Sequence, residues 1–202
     1  SRAISVNLLM FVVGWFPTPV VAAFGIGTRV FSVIFMPALA VDRGVETMSG
    51  QNIGAGKPDR AGRSAWIAAV STFGLLSLIG LGVWTGAGSI ASLFTPDAEV
   101  VATATEFMRF VAPSFGFIGV MRAYSGSLRG AGKTLTVAAI AVLMLGVIRF
   151  PIAWVAAEAM GEAGIWIAFA VSNAGGALIA YLWYQQGTWR EGDLTEAHAV
   201  ES

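Results

Sequence analysis

The sequence predicts an all-α polytopic membrane protein, a six-transmembrane-helix up-and-down bundle. Three observations carry that expectation. Apolar residues (aromatics, Met and Ala included) make up 56% of the 202 residues and charged residues only 12%, about half the roughly 25% charge of soluble domains. Mean hydropathy is +0.73, so polar groups cannot cover the surface and lipid becomes the solvent for most of it. The apolar residues also fall into six stretches, each close to the roughly 20 residues that cross a bilayer.

The first span covers about Ala3 to Val21 and is shortened at its start. The second runs from about Val30 to Ile53, with Arg29 in the turn before it. The third extends from near Ser64 to Ser92, the fourth from about Glu99 to Leu128, the fifth from about Thr134 to Ala157, and the sixth from about Ala163 to Gly187. The links between them are short and rich in Gly, Pro and charge: Ile53-Gly-Ala-Gly-Lys-Pro-Asp-Arg60, Thr95-Pro-Asp-Ala-Glu99, Gly130-Ala-Gly-Lys133 and Glu158-Ala-Met-Gly-Glu162. Links this short make successive spans antiparallel. Residues 1–187 therefore read as one transmembrane lobe and residues 188–202 as a polar cytoplasmic tail. The chain opens without an initiator methionine and reads as a fragment.

Lys57, Arg60, Arg63, Arg129, Lys133 and Arg190 all fall at one end of such a bundle, whereas Asp97, Glu99, Glu158 and Glu162 mark the other. The positive-inside rule makes the basic end, and with it the carboxyl terminus, cytoplasmic. The expected location is the cell membrane.

Several function classes are excluded. Formal net charge is zero, with 12 basic and 12 acidic residues, which gives no case for nucleic acid. Without cysteine there are no disulfides or thiolate sites. The single histidine, His198, sits beside Glu196 and Glu201 in the tail and reads as solvated. No metal site, paired deep carboxylates, HExxH or Ser/His/Asp set is present, so an enzyme is not expected. Ser127-Leu-Arg-Gly-Ala-Gly-Lys-Thr134 imitates a phosphate loop, but Ser127 stands where glycine is needed and a long apolar helix precedes it in place of a strand. No nucleotide is expected.

The second and fourth spans end alike. Ser49-Gly-Gln-Asn-Ile-Gly-Ala-Gly-Lys57 and Ser125-Gly-Ser-Leu-Arg-Gly-Ala-Gly-Lys133 match at six of nine positions. Internal repetition marks transporter architecture. The small residues would let helix ends approach closely, and a glycine would terminate each helix in a left-handed conformation. The structural glycine motif thus comprises Gly50, Gln51, Gly54 and Gly56 in one copy and Gly126, Gly130 and Gly132 in the other.

Pro17, Pro19, Pro37, Pro113 and Pro151 fall within spans. They either kink helices for packing or break them where they line a cavity. Asp42, Arg43, Glu46, Arg122 and Arg149 are intramembrane charges, and Glu106 and Arg109, three apart, can pair. Arg122 can snorkel to the interface. Arg149, two residues before Pro151, needs a partner, a wet cavity or the carbonyl of Val147 freed by the proline; it reads as a structural clamp or a transport residue. Aromatic and sulfur side chains, among them Met10, Phe35, Met36, Phe117, Met121 and Met144, either pack or line a cavity for bulky apolar ligands.

Met48-Ser-Gly-Gln-Asn-Ile-Gly-Ala-Gly-Lys57 with Asp59-Arg60-Ala61 resembles the multidrug and toxic compound extrusion (MATE) family. So do Gly126-Ser-Leu-Arg-Gly-Ala-Gly132, Ala23-Phe-Gly-Ile-Gly-Thr-Arg29 and Phe35-Met-Pro-Ala38. Their order and spacing resemble the carboxyl-terminal half of the family, helices seven to twelve of a twelve-helix, two-lobe transporter. The resemblance implies alternating-access export of cationic or amphipathic compounds against sodium or protons. The implied partners are membrane lipid, small-molecule substrates and an amino-terminal six-helix lobe, and that lobe would hold most of the coupling-ion site. No cofactor is implied. The acidic residues that one branch of the family places in the seventh and tenth helices have no counterpart in the first span or in Phe110 to Leu128, so no cation site is assigned here. Substrate-cavity candidates are Asn7, Met10, Phe35, Met36, Phe117, Met121 and Arg149. A lipid-linked precursor flippase of the wider superfamily and a non-transporting membrane scaffold are the alternative readings.

Overall fold

The computed structural model describes residues 13–190. Regular structure in that range is helical: α1 Thr18–Gly54, α2 Pro58–Ser92, α3 Ala98–Val111, α4 Phe115–Gly130, α5 Thr134–Val142, α6 Phe150–Met160 and α7 Glu162–Gln185. A 3-10 turn over Ala112–Ser114 joins α3 to α4, and a π-helical stretch over Leu143–Arg149 joins α5 to α6. Each of these pairs runs on without an intervening loop, as one rod with an irregular joint. Thr18–Gly54, Pro58–Ser92, Thr134–Met160 and Glu162–Gln185 are each long and apolar enough to cross a membrane. The fourth expected span is divided at Pro113 into helices of 14 and 16 residues. Most of the first expected span, with Asn7 and Met10, lies outside the described residues, as does His198.

The start of α1 corrects the sequence reading. Pro17 stands at the N-cap with an extended backbone and Pro19 lies in the first turn, where a missing N–H costs nothing. The helix therefore begins at Thr18, not near Val30, and its 37 residues extend about 55 Å at 1.5 Å per residue. Arg29 is mid-helix rather than in a turn. Nearby Gly27 serves packing: the ring of Phe107 occupies the space a Cβ there would need. Pro17 and Pro19 thus open a helix, Pro37 lies inside one, and the two remaining span prolines coincide with the irregular stretches.

Both irregular stretches have a local cause. Pro113 offers no N–H to the carbonyl of Arg109, and Pro151 none to that of Val147. The chain responds with a tight turn at Pro113, closed by the N–H of Phe115 on the Ala112 carbonyl. Before Pro151 it widens, and the N–H of Phe150 reaches the carbonyl of Leu145.

The rods pack α1 on α4 and α2, α2 on α4, and α4 and α6 on α7. Two apolar clusters result. One, at the end where α1 begins, gathers Phe24, Phe107, Trp166 and Phe169, with the Phe107 and Trp166 rings edge to face at 4.6 Å. The other, at the basic end, holds Tyr124, Leu128, Tyr184 and Trp189. Large apolar side chains such as Leu78, Val142 and Leu182 remain exposed, as suits rods facing lipid or another lobe. At the acidic end Asp97 caps α3 by accepting hydrogen bonds from the N–H groups of Glu99 and Val100 at 2.9 and 3.2 Å.

The repeated motif builds the same helix end twice. In the first copy Ala55, Gly56 and Lys57 donate backbone hydrogen bonds to Gln51, Ile53 and Asn52; in the second Ala131, Gly132 and Lys133 donate to Ser127, Arg129 and Leu128. Gly56 and Gly132 carry the positive φ this Schellman cap requires, 68° and 81°. The two ends also cross: a Cβ on Gly50 would lie 3.2 Å from the carbonyl oxygen of Gly130, and one on Gly130 would overlap the carbonyl of Glu46. Gly126 meets the backbone of Asp42 in the same way. Gly54 is the exception. Nothing lies within 4 Å of its Cβ position, so its expected packing role is not met. The Gln51 side chain is likewise exposed.

The packed body continues past Gly187, the boundary read from sequence. Trp189 is buried, stacks on Tyr184 with centroids 4.5 Å apart, and donates from Nε1 to the Tyr184 carbonyl at 2.8 Å. Arg190 pairs with Asp59 at 3.2 Å, which brings the end of α7 against the start of α2.

Candidate functional site

Four helix faces line an open cavity of about 580 Å³. On α1 the lining residues Phe24, Thr28, Phe31 and Phe35 recur at spacings of four, three and four, a single helical stripe. On α4, Ile118, Arg122, Ser125 and Arg129 repeat that spacing. The α5 rod adds Val137, Ala141, Met144 and Arg149, and α7 adds Phe169 and Asn173. The wall is mostly aromatic and aliphatic, with methionine sulfur and scattered hydroxyls. Among the described residues its charged groups are four guanidiniums, Arg29, Arg122, Arg129 and Arg149, with no carboxylate in the lining.

Two of the arginines are neutralised from behind. Asp42, buried on α1, takes a salt bridge from Arg129 and another from Arg122 at 3.4 Å. Arg129 also reaches Glu46 at 3.3 Å, and Arg43 lies on the same carboxylate at 3.2 Å. Arg122 rests over the Phe35 ring at 4.4 Å. It is therefore held in the cavity wall by α1.

Arg149 is held differently. Only 8% of it is exposed. Its Nε donates to Ser172 Oγ at 2.7 Å and its Nη2 to Asn173 Oδ1 at 2.8 Å. The guanidinium lies 4.3 Å from the Phe169 ring centroid. Asn173 Nδ2 donates on to Ser114 Oγ at 2.9 Å, and Ser114 Oγ to the carbonyl of Val111 at 2.7 Å. This chain ties the π-helical stretch, α7 and the 3-10 turn together. Every partner in it is neutral. Arg29, exposed on α1, makes no side-chain hydrogen bond or ion pair among the described residues.

Of the sequence-derived candidates, Phe35, Met121 and Arg149 line the cavity. Met36 does not: it is one residue round the helix from Phe35 and 68% exposed. Phe117 packs edge to face on Phe73 at 5.6 Å instead. Asn7 and Met10 are outside the described residues. Arg109 lies 5.9 Å from the Trp84 ring and does not pair with Glu106. Arg129, Ser172 and Asn173 were absent from the candidate set. The available signal was the Ser-Asn dyad in the middle of the sixth apolar span, since intramembrane polar residues mark pathways.

The MatE family model matches residues 3–155. The chain is 29% identical over 182 residues to the probable multidrug resistance protein YpnP of Bacillus subtilis (strain 168), covering 90% of this chain and 41% of that protein. It is 25% identical over 153 residues to the FAD transporter of Shewanella oneidensis, covering 76% of this chain and 34% of that one. Among solved structures, the Vibrio cholerae MATE transporter VcmN in the bent form superposes with a TM-score of 0.89 at 25% identity, covering 96% of this chain and 44% of that one. The chain thus spans about two fifths of the length of these relatives.

Proposed function

This chain belongs to the MatE family of membrane transporters, and we propose that it forms the carboxyl-terminal lobe of an ion-coupled antiporter exporting amphipathic compounds by alternating access. The observation that carries this reading is the cavity of about 580 Å³ lined by helices that superpose on less than half of a MATE transporter. A pocket of that size suits a drug-sized ligand. Its walls include Met144, Leu145 and Arg149 of the π-helical joint, which supports a rod that bends beside the cavity rather than a rigid channel. The exposed apolar faces and the open side of the cavity leave room for an amino-terminal lobe. The basic end, with Lys57, Arg60, Arg63, Lys133 and Arg190, faces the cytoplasm in this reading, placing the carboxyl terminus there. The coupling ion, sodium or proton, would bind mainly in the other lobe.

The test is flux in inside-out membrane vesicles containing the complete protein. Amphipathic dye accumulation should rise when a sodium or proton gradient is imposed and collapse with the matching ionophore. Flux indifferent to both gradients removes the antiport reading. Absence of flux for any dye leaves a non-transporting scaffold as the better account. A second reading, flipping of a lipid-linked precursor, is favoured by the guanidiniums on the cavity wall.

A further inference from the structure

Charge on the cavity wall falls into two sets. Arg122 and Arg129 are balanced by Asp42 and Glu46. Arg149 and Arg29 are not. Arg149 is buried among a hydroxyl, an amide and an aromatic face, which orient a guanidinium without neutralising it. Those partners engage Nε and Nη2 and leave Nη1 with no protein partner among the described residues. An uncompensated charge in an apolar wall attracts a counter-ion strongly, because the surroundings screen it poorly. Arg29 adds a second cation to the same cavity. Around them Phe31, Phe35, Met121 and Met144 offer an adaptable apolar surface.

The geometry points to an anionic amphiphile as the ligand of this cavity, its acid group (phosphate, sulfonate or carboxylate) on Arg149 and its apolar body against the phenylalanines and methionines. This deepens the transport reading above and rests on it for the term substrate, though binding itself does not require transport. A permanent cation would meet the two unbalanced guanidiniums of Arg149 and Arg29, with no carboxylate among the described lining residues. A planar acid group fits the fork of an arginine whose rotamer is already fixed by Ser172 and Asn173, so little ordering remains on binding.

Two xanthene dyes of similar shape and opposite charge test this: carboxyfluorescein, an anion, and tetramethylrhodamine methyl ester, a cation. Binding to the purified complete protein is read by fluorescence polarisation, so a failure of flux in vesicles does not obscure the result. Carboxyfluorescein should bind at least about tenfold more tightly than the rhodamine, and Arg149→Gln should weaken it by about tenfold or more with rhodamine binding unchanged or improved. Arg149→Lys should restore part of the loss. Arg29→Gln, at an exposed position with no partner to lose, should weaken the anion by a smaller factor and keeps the test valid if Arg149→Gln fails to fold. Dihexanoyl-phosphatidylglycerol displacing the dye assigns the anion to a lipid headgroup, and no displacement assigns it to a soluble acid; both support the shared chemistry. Preference for the rhodamine, or equal weakening of both dyes by Arg149→Gln, overturns it and leaves Arg149 a structural clamp.

Discussion

Gly130→Ala and Gly54→Ala make a matched pair, because the two glycines hold equivalent places in the repeated motif and differ in surroundings. At Gly130 an added Cβ would overlap the carbonyl of Glu46 and sit 2.9 Å from the backbone nitrogen of Gly50. Both obstacles are main chain, so no side chain can swing aside and α1 must move off α4. Forcing a methyl group into such a contact costs about 1–3 kcal/mol. At about 2–4 °C per kcal/mol for a domain of this size, the melting temperature should fall by between about 2 and 12 °C. At Gly54 no atom lies within 4 Å. There alanine should be neutral, or should add up to about 1 kcal/mol through helix propensity. The assay is thermal melting in detergent, followed by fluorescence size-exclusion chromatography. A Gly130→Ala protein that melts with the parent, or a Gly54→Ala protein that loses as much as Gly130→Ala, would refute the proposed crossing of the two helix ends.

Asp42→Asn should lower stability by about 3 kcal/mol, since it strips Arg122 and Arg129 of a buried counter-charge; adding Arg122→Gln should recover part of the loss in a double-mutant cycle, and a single variant that melts like the parent would contradict the pairing. Gly56→Ala and Gly132→Ala should each cost about 1–2 kcal/mol, because both residues hold a left-handed backbone. Markedly unequal losses in the same melting assay would show that the two caps are not equivalent.

The membrane bundle was legible because composition, span length and link chemistry all point the same way, and the repeat was legible because its glycines sit at helix ends. The beginning of α1 was not. A charge such as Arg29 between two apolar stretches imitates a turn by local rules, yet Arg29 occupies a cavity-facing position in mid-helix, and Gly27 beside it admits Phe107 from α3. Both reasons are tertiary. The site was partly legible for a similar cause. Residue type nominated Phe35 and Met36 alike, but neighbours in a helix point about 100° apart, and only the fold says which one faces inward. Arg149 announced itself by the cost of its burial. Its partners, 23 and 24 residues further on in α7, obey no local periodicity.

The widened stretch before Pro151 has a geometric consequence for everything beyond it. An i→i+5 turn holds one residue more than a regular turn, and one residue corresponds to about 100° of azimuth. The surplus therefore sets the angular phase of α6 against the half of the rod that precedes it. It aims Ala153 and Ala157 at their buried seats, and it allows Gly164 to abut the main chain of Ala156. Were that stretch wound regularly, the far half of the rod would present a different meridian to α7, and the seam between them would have to be rebuilt from other side chains.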